Sequence, residues 1–154
     1  MPEPARVLLV AHQTASTQRL MDAVSARAHR GPTTFHLVVP QRPHGMHRFV
    51  DPHDDGFEAA EAVLAEALPM LSAAAGSEVT GSVGDPEPLM AIHDAVHLGN
   101  HDEIIISTLP PRVSKWLHLD LVSKARGLGL PVAHVEASHA PEAKEREVVS
   151  TGAR

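Results

Sequence analysis

The chain has 154 residues, a formal net charge of −6, no cysteine and 43% hydrophobic residues. This length suits one domain that can bury a substantial apolar core. The lack of cysteine excludes a disulfide and a cysteine-ligated zinc site. The negative net charge and an aromatic content of 3% argue against general nucleic-acid binding, which needs a basic face or base-stacking aromatic side chains.

Short apolar runs make a membrane-spanning segment unexpected. The longest run near the N-terminus, Val7 to Ala11, is too short for a membrane helix or for the apolar part of a signal peptide. We therefore expect a cytoplasmic protein with no membrane partner.

Five short segments rich in Val, Ile and Leu predict β-strands. In chain order they are RVLLVA (Arg6–Ala11), FHLVVP (Phe35–Pro40), EVTGSVG (Glu78–Gly84), EIIIST (Glu103–Thr108) and PVAHVEA (Pro131–Ala137). The first and fourth are nearly continuous apolar runs, which is typical of strands covered on both faces. The third alternates between apolar and polar residues, so we expect it nearer an edge of the sheet.

Amphipathic periodicity and end signals predict four helices between these strands. The predicted helices run from a cap at Ser16 or Thr17 to about His29; from Phe57 to Ala75, ended by Gly76; from the cap-and-N1 pair Asp85-Pro86 to about Leu98, ended by Gly99-Asn100; and from a cap at Asp120 to about Gly127. Strands that alternate with helices predict an α/β fold, a single doubly wound five-stranded parallel sheet with helices on both faces. We expect this domain to span residues 1–137.

Two segments fall outside this pattern. The long polar stretch Pro40–Gly56 contains several Pro, His and Arg residues, and segments of this kind are either lids or disordered, so we expect a mobile loop. The tail Ser138–Arg154 is charged and weakly apolar, and we expect it to be frayed or to form a short surface helix.

Ligands of open parallel sheets bind beyond the carboxyl ends of the strands, where the strand order reverses. Our candidate ligand-binding residues are those that the sequence places there: His12, Thr14, Val39, Gly84, Asp85, Ser107, Thr108, Arg112, Ser114 and Lys115. Arg112 and Lys115, with hydroxyl groups nearby, can hold a small anion or polar ligand. The alternative is that both cations lie in water.

The chain resembles the universal stress proteins of the adenine-nucleotide alpha-hydrolase-like superfamily from about residue 6 to residue 137. The resemblance rests on the opening strand and helix, on GDP (Gly84–Pro86) after the third strand, on DEIIIST (Asp102–Thr108), and on LPVAHV (Leu130–Val135) as the last strand. It implies a Rossmann-like fold. It also implies a homodimer formed through the last strand, Pro131 to Ala137; the alternative is that the C-terminal tail covers this edge within one chain.

The ATP-binding motif of that family is altered in this chain. ATP-binding members carry G-x2-G-x9-G-(S/T) directly after the fourth strand, and an ungapped match places Ser107, Pro110, Asp120 and Leu121 at those four positions. Pro110 has no N–H to offer a phosphate, and the carboxylate of Asp120 would take the anion site at a helix N-terminus. The acidic residue usual at the end of the first strand is replaced by His12. We therefore predict no ATP binding of the family type.

No catalytic signature is present in the sequence. The chain has no cysteine, no G-x-S-x-G nucleophile turn and no G-x-x-x-x-G-K-(S/T) loop. Asp85 could act as a general base, but helix capping accounts for this residue fully and is the favoured interpretation. We therefore expect neither enzymatic activity nor a cofactor.

Two histidines on the third predicted helix raise the question of a metal. His93 and His97 are four residues apart, as in H-E-x-x-H zinc sites, but Asp94 stands where that motif has glutamate and no third ligand is evident. We expect a half-exposed pair at the boundary of the core and no metal site.

The leading functional hypothesis is a non-catalytic module of the universal stress type, a homodimer that binds or senses a small polar ligand other than ATP. The alternatives are a nucleotide-binding universal stress protein and an interaction protein without a ligand. A hydrolase or nucleotidyl transferase of the same superfamily fold is the least favoured hypothesis.

Overall fold

A computed structural model of the chain describes residues 3–41, 55–109 and 119–137. Within these residues the strands are β1 (Ala5–Val10), β2 (Thr33–Pro40), β3 (Thr80–Gly84), β4 (Glu103–Thr108) and β5 (Val132–Glu136). The helices are α1 (Gln18–His29), α2 (Asp55–Ala75), α3 (Pro88–Gly99) and α4 (Leu119–Arg126). All of the predicted strands and helices are therefore present.

The strands form one parallel sheet in the order β3-β2-β1-β4-β5. The chain moves outward from β1 through β2 and β3 in one direction and through β4 and β5 in the other, so the strand order reverses between β1 and β4. β3 and β5 lie at the edges, as the alternating pattern of β3 predicted. The predicted fold class, a doubly wound α/β sheet, is confirmed.

Helices cover both faces of the sheet and divide the core into two layers. One layer lies between the sheet and α1 and α2, and it contains Leu9, Leu20 and Leu71. The other lies between the sheet and α3 and α4, and it contains Leu8 and Ile92. Burying a side chain of this size contributes about 1.5–3 kcal/mol, so these layers supply much of the driving force for folding.

The predicted helix starts differ in detail from the structure. α2 begins at Asp55 instead of Phe57, and α4 begins at Leu119, so Asp120 lies inside the helix and is not its cap. Thr17 is the N-cap residue of α1, but its Oγ1 donates a hydrogen bond to the Thr14 carbonyl (2.8 Å) and makes no side-chain cap to the helix. The predicted pair Asp85-Pro86 is wrong as the start of α3, because Glu87 is the N-cap residue and the helix begins at Pro88. Asp85 Oδ1 accepts a hydrogen bond from the Glu87 N–H (2.9 Å), which forms an Asx turn before the helix.

Several predictions lie outside the described residues. They concern residues 42–54 of the expected mobile loop and the C-terminal tail from residue 138 to residue 154. They stay predictions, as does the domain boundary at residue 137. In the described parts of the chain, no helix is both long and apolar enough to cross a membrane.

An ion pair joins α1 to the start of β4. Arg27 Nε donates hydrogen bonds to both carboxylate oxygens of Glu103, at 2.9 and 3.2 Å, and both side chains are partly buried. The hydrogen bond from Arg27 lowers the pKa of Glu103 below its ordinary value. Because the folded state favours the ionised carboxylate, this pair stabilises the fold wherever Glu103 is charged.

We predict that Glu103→Gln lowers the free energy of unfolding at pH 7 by about 1–3 kcal/mol, the usual contribution of hydrogen bonds to a charged group. A group with a lowered pKa stabilises the fold above its unfolded pKa, and this stabilisation is lost as the pH falls through the folded value. The difference between the two proteins should therefore shrink below about pH 4. Urea unfolding at pH 7 and below about pH 4 measures this difference in stability, with the exposed Glu66→Gln as the control. A difference that stays constant with pH would contradict the role of the charge.

Candidate ligand site at the carboxyl end of the sheet

The position predicted for a ligand is where the strand order reverses, between the carboxyl ends of β1 and β4. The segment after β1 holds His12 and Thr14, and β4 ends with Ser107 and Thr108. Because neighbouring parallel strands end at the same side of the sheet, these four candidates are brought to one place. All four side chains are buried.

A hydrogen bond between two hydroxyl groups fixes the segment after β1 to β4. Ser107 Oγ donates to Thr14 Oγ1 at 2.6 Å, and the two residues expose 0% and 2% of their surface. The Thr14 carbonyl accepts bonds from the Thr17 N–H at 3.2 Å and from the Thr17 hydroxyl at 2.8 Å. The segment that leads into α1 is thus fixed through both the side chain and the backbone carbonyl of Thr14.

A second pair links the ends of β4 and β5. Thr108 Oγ1 is hydrogen-bonded to His134 Nε2 at 2.7 Å. The Thr108 carbonyl accepts a bond from the Ala137 N–H at 2.8 Å. Burial lowers the pKa of His134, an effect that Glu136 partly offsets and Arg126 reinforces. The imidazole is therefore neutral at pH 7 and can serve as either donor or acceptor to Thr108.

His134 was not among the site residues predicted from the sequence. The strand pairing places Ile106 opposite His134 and Thr108 opposite Glu136, so the contact depends on the register between β4 and β5. The only signal in the sequence is a polar residue in the apolar run PVAHVEA. That signal does not identify the partner.

The candidates on β2 and β3 differ in what they offer a ligand. The Val39 side chain has no exposed surface and belongs to the core layer of α1 and α2. A Cβ atom on Gly84 would lie 2.7 Å from Val38 Cγ2 and 2.8 Å from Ala91 Cβ, so glycine is required here for α3 to approach the sheet. Asp85 is exposed and holds the turn before α3.

The remaining candidates follow β4. Arg112, Ser114 and Lys115 lie outside the described residues, as does Pro110, and their part in a site stays a prediction. The backbone of Asp120 is the second residue of α4, one position from the predicted start of that helix. The acidic residue therefore stands in the first turn of α4.

The histidine pair on α3 is placed as predicted. The rings of His93 and His97 are tilted by 35° with centroids 4.5 Å apart, and both residues are exposed beside a core stripe of Leu89, Ile92 and Val96. Among residues 3–41, 55–109 and 119–137, no group of three or more His, Cys, Asp or Glu side chains could hold a metal ion.

Comparison with known proteins finds similarity in structure alone. No protein-family model matches the sequence, and no curated protein matches it either. The fold matches a universal stress protein from Archaeoglobus fulgidus in complex with dAMP, with a TM-score of 0.61, 16% identity, and coverage of 88% of this chain and 100% of that one.

Two further solved structures show the same similarity. One is a universal stress family protein from Burkholderia pseudomallei (TM-score 0.62, 13% identity, 86% of this chain and 96% of that one). The other is a universal stress family protein from Arabidopsis thaliana with AMP bound (TM-score 0.59, 14% identity, 90% of this chain and 97% of that one). The chain therefore has the fold of the universal stress proteins, as the resemblance implied.

The pair of hydroxyls gives a prediction about stability. Thr14→Val keeps the shape of the side chain but leaves the Ser107 hydroxyl buried without its acceptor, which should lower the free energy of unfolding by about 1–3 kcal/mol. The double variant Thr14→Val/Ser107→Ala should lose less than the sum of the two single variants, because the second change removes the stranded donor. Urea unfolding of all four proteins measures this coupling. Additive losses would mean that the two hydroxyls do not stabilise the fold as a pair.

Proposed function

We propose that this chain is a non-catalytic member of the universal stress family that binds a small polar ligand without a triphosphate at the carboxyl end of its sheet. The match of fold over most of the chain supports the family assignment. The position of Asp120 in the first turn of α4 is the observation that carries the choice of ligand.

The N-terminus of α4 is where a phosphate-binding protein of this fold would offer free N–H groups and a positive helix end. An acidic residue in this turn already supplies the negative charge that such a helix end favours. A triphosphate that approached it would meet a like charge. Pro110, at the second position of the altered motif, has no N–H to contribute.

The hydrogen bonds made by the Ser107 and Thr108 hydroxyls support the non-catalytic part of the proposal. An activated hydroxyl nucleophile needs a base beside it and access to the substrate. Ser107 donates to another hydroxyl, that of Thr14. Thr108 does have an imidazole beside it, but only 2% of its surface is exposed, so a substrate carbon cannot reach its oxygen.

A nucleoside monophosphate is the second candidate ligand. Two of the similar universal stress proteins were solved with dAMP or with AMP, each of which carries one phosphate. One phosphate brings less negative charge toward α4 than three do, so the Asp120 argument weighs less against this ligand.

We predict that wild-type protein shows no change in melting temperature with magnesium-ATP at millimolar concentration. In Asp120→Asn, the affinity for ATP should rise at least about fivefold, because two unit charges a few ångströms apart repel by ~1 kcal/mol even in water. A thermal-shift series with ATP, AMP and adenosine measures this. Adenosine serves as the uncharged probe, and its binding should not respond to the substitution.

The exposed Asp94→Asn on α3 is the matched control, because it removes the same charge away from the carboxyl end. A clear ATP response of the wild-type protein, unchanged in Asp120→Asn, would overturn the proposed ligand class. An AMP response without an ATP response would favour the second candidate.

We also propose that two copies of this chain associate through β5. β5 is an edge strand of the sheet. Every second residue directs its backbone N–H and carbonyl toward β4, and the residues between them direct these groups away from the sheet. Pro131 and Ala137 bond to β4, so Val132, His134 and Glu136 direct their N–H and carbonyl groups outward. Side chains already cover two of these carbonyls: Arg126 donates to Val132 at 3.4 Å, and Arg19 donates to Glu136 at 3.3 Å. A partner strand must displace both arginines.

We predict that Glu136→Pro reduces dimerisation, because proline removes one outward N–H without touching a bond to β4. Glu136→Ala removes the side chain but keeps the N–H, so it serves as the control and should associate as the wild type does. Sedimentation or light scattering over a concentration series measures the mass. A wild-type monomer at high concentration, or a dimer unaffected by Glu136→Pro, would rule out β5 as the interface.

A further inference from the structure

A cavity of about 440 Å³ lies at the opposite end of the sheet from the candidate ligand site. It opens between the amino halves of β1, β2 and β3 and the last turn of α3. Its lining consists of Arg6, Thr34, Phe35, His36, Thr80, Ser82, Ala95, Leu98, Gly99 and His101. This volume falls within the range of small-molecule sites in proteins, about 300–1,000 Å³.

The path of α3 creates this cavity. Near its start the helix packs tightly on the sheet, where Ala91 lies against Gly84 and Val38. Toward its end it lines the cavity with the small residues Ala95 and Gly99, and the Leu98 side chain does not cover the sheet, since 87% of its surface is exposed. The same sheet face changes from apolar to polar along the strands, from Leu8 to Arg6 on β1 and from Val38 to His36 on β2. A polar sheet surface is therefore left beneath the end of the helix.

His36 organises the polar wall of the cavity. Its Nδ1 is hydrogen-bonded to Thr80 Oγ1 at 2.7 Å, and its Nε2 is hydrogen-bonded to Ser82 Oγ at 2.9 Å. Burial lowers the pKa of His36, so the ring is neutral at pH 7 and carries one N–H. One hydroxyl must then accept from the ring and the other must donate to it. The accepting hydroxyl keeps its own proton available for a ligand.

His101 and Arg6 provide further donors. The His101 ring lies 6.1 Å from the His36 ring between centroids, and its Nδ1 is buried without a hydrogen-bond partner among the described residues. The guanidinium of Arg6 donates to the Gly99 carbonyl at 3.4 Å. Among the described residues that line the cavity, none is acidic and Arg6 carries a positive charge at pH 7. The nearby Asp102 carboxylate accepts the backbone N–H of Arg6 at 2.9 Å.

We propose that this cavity binds a small molecule that carries one carboxylate or phosphate group on a compact apolar body. Arg6 and the hydroxyl of Thr80 or Ser82 that accepts from His36 would donate hydrogen bonds to the anion. Ala95 and Leu98 would contact the apolar part, which explains why so large an apolar side chain stands exposed at the rim. The site is separate from the carboxyl end of the sheet, and it does not depend on the function proposed there.

Anion binding at this site is coupled to proton uptake. Among the described residues, the titratable groups that act on His101 are His36, Arg6 and Asp102. α3 lines the cavity with Ala95, Leu98 and Gly99, none of which titrates. Burial, His36 and Arg6 lower the pKa of His101, and Asp102 partly offsets them. A bound anion stabilises the imidazolium forms, so the affinity rises as the pH falls from 8 toward 6.

The test uses the full chain with benzoate and phenyl phosphate as probes and benzamide as the uncharged control. Titration followed by NMR of the histidine rings should give saturable shifts at His36 and His101 with both anions and none with benzamide. Arg6→Gln should weaken binding of the anions about tenfold or more. Arg30→Gln removes an exposed arginine next to the last turn of α1, on the other face of the sheet, and should leave binding unchanged.

Leu98→Glu provides a second variant that cannot disturb the core, because the side chain is exposed. It places a carboxylate at the rim and should abolish binding of both anions. Equal binding of benzamide and benzoate, an unchanged affinity in Arg6→Gln, or an absence of saturable shifts with either anion would each overturn the proposal.

Discussion

Complete burial of β1 is the constraint on which the rest of the structure depends. Its last four residues, Val7 to Val10, have no exposed surface, and alternate side chains enter opposite core layers. A strand that is apolar on both faces needs helices above and below it and a neighbouring strand on each side. The sheet therefore extends in both directions from β1, and the reversal of strand order follows. That reversal places the segment after β1 beside the end of β4.

The polar side chains at the two ends of the sheet differ in how they are packed and hydrogen-bonded, and the path of α3 is the main reason. At the carboxyl end the hydroxyls of Thr14, Ser107 and Thr108 are buried and already hydrogen-bonded, so this end is preorganised. At the amino end α3 no longer packs closely on the sheet, and Nδ1 of His101 is buried without a hydrogen-bond partner in the part of the chain that the structure describes. Buried polar groups are normally satisfied, so an exception of this kind indicates a place where another molecule can bind.

Local signals in the sequence were sufficient for the architecture. The apolar run of β4 predicted its bounds as observed, and Gly76, with a φ of +76°, ends α2 as expected of a residue in that conformation. The start of α3 was misplaced because an Asp-Pro pair suits both a helix cap and an Asx turn. The Asp85 carboxylate can accept the Glu87 N–H in either arrangement, so the two differ in where the helical backbone begins, which here is Pro88.

Contacts between distant residues could not be predicted in the same way. The described candidates His12, Thr14, Ser107 and Thr108 lie at one end of the sheet because that follows from strand direction alone, and their part in binding a ligand stays a prediction. The bond between Thr108 and His134 depends on the register of two strands, and the cavity depends on where a helix diverges from the sheet. Neither register nor divergence is encoded in a local pattern, so a polar residue such as His36 gives no sign of its partners.

Arg19 of α1 and Arg126 of α4, which donate to the outward carbonyls of β5, affect how readily another chain can add to this edge strand. An uncovered edge strand is a template onto which any unfolded or partly folded chain can add. Arg19 and Arg126 occupy the carbonyl oxygens near both ends of this template, and each brings a positive charge that stray β-segments must approach. A strand that added to this edge would have to displace both guanidinium groups, so these two side chains limit access to β5.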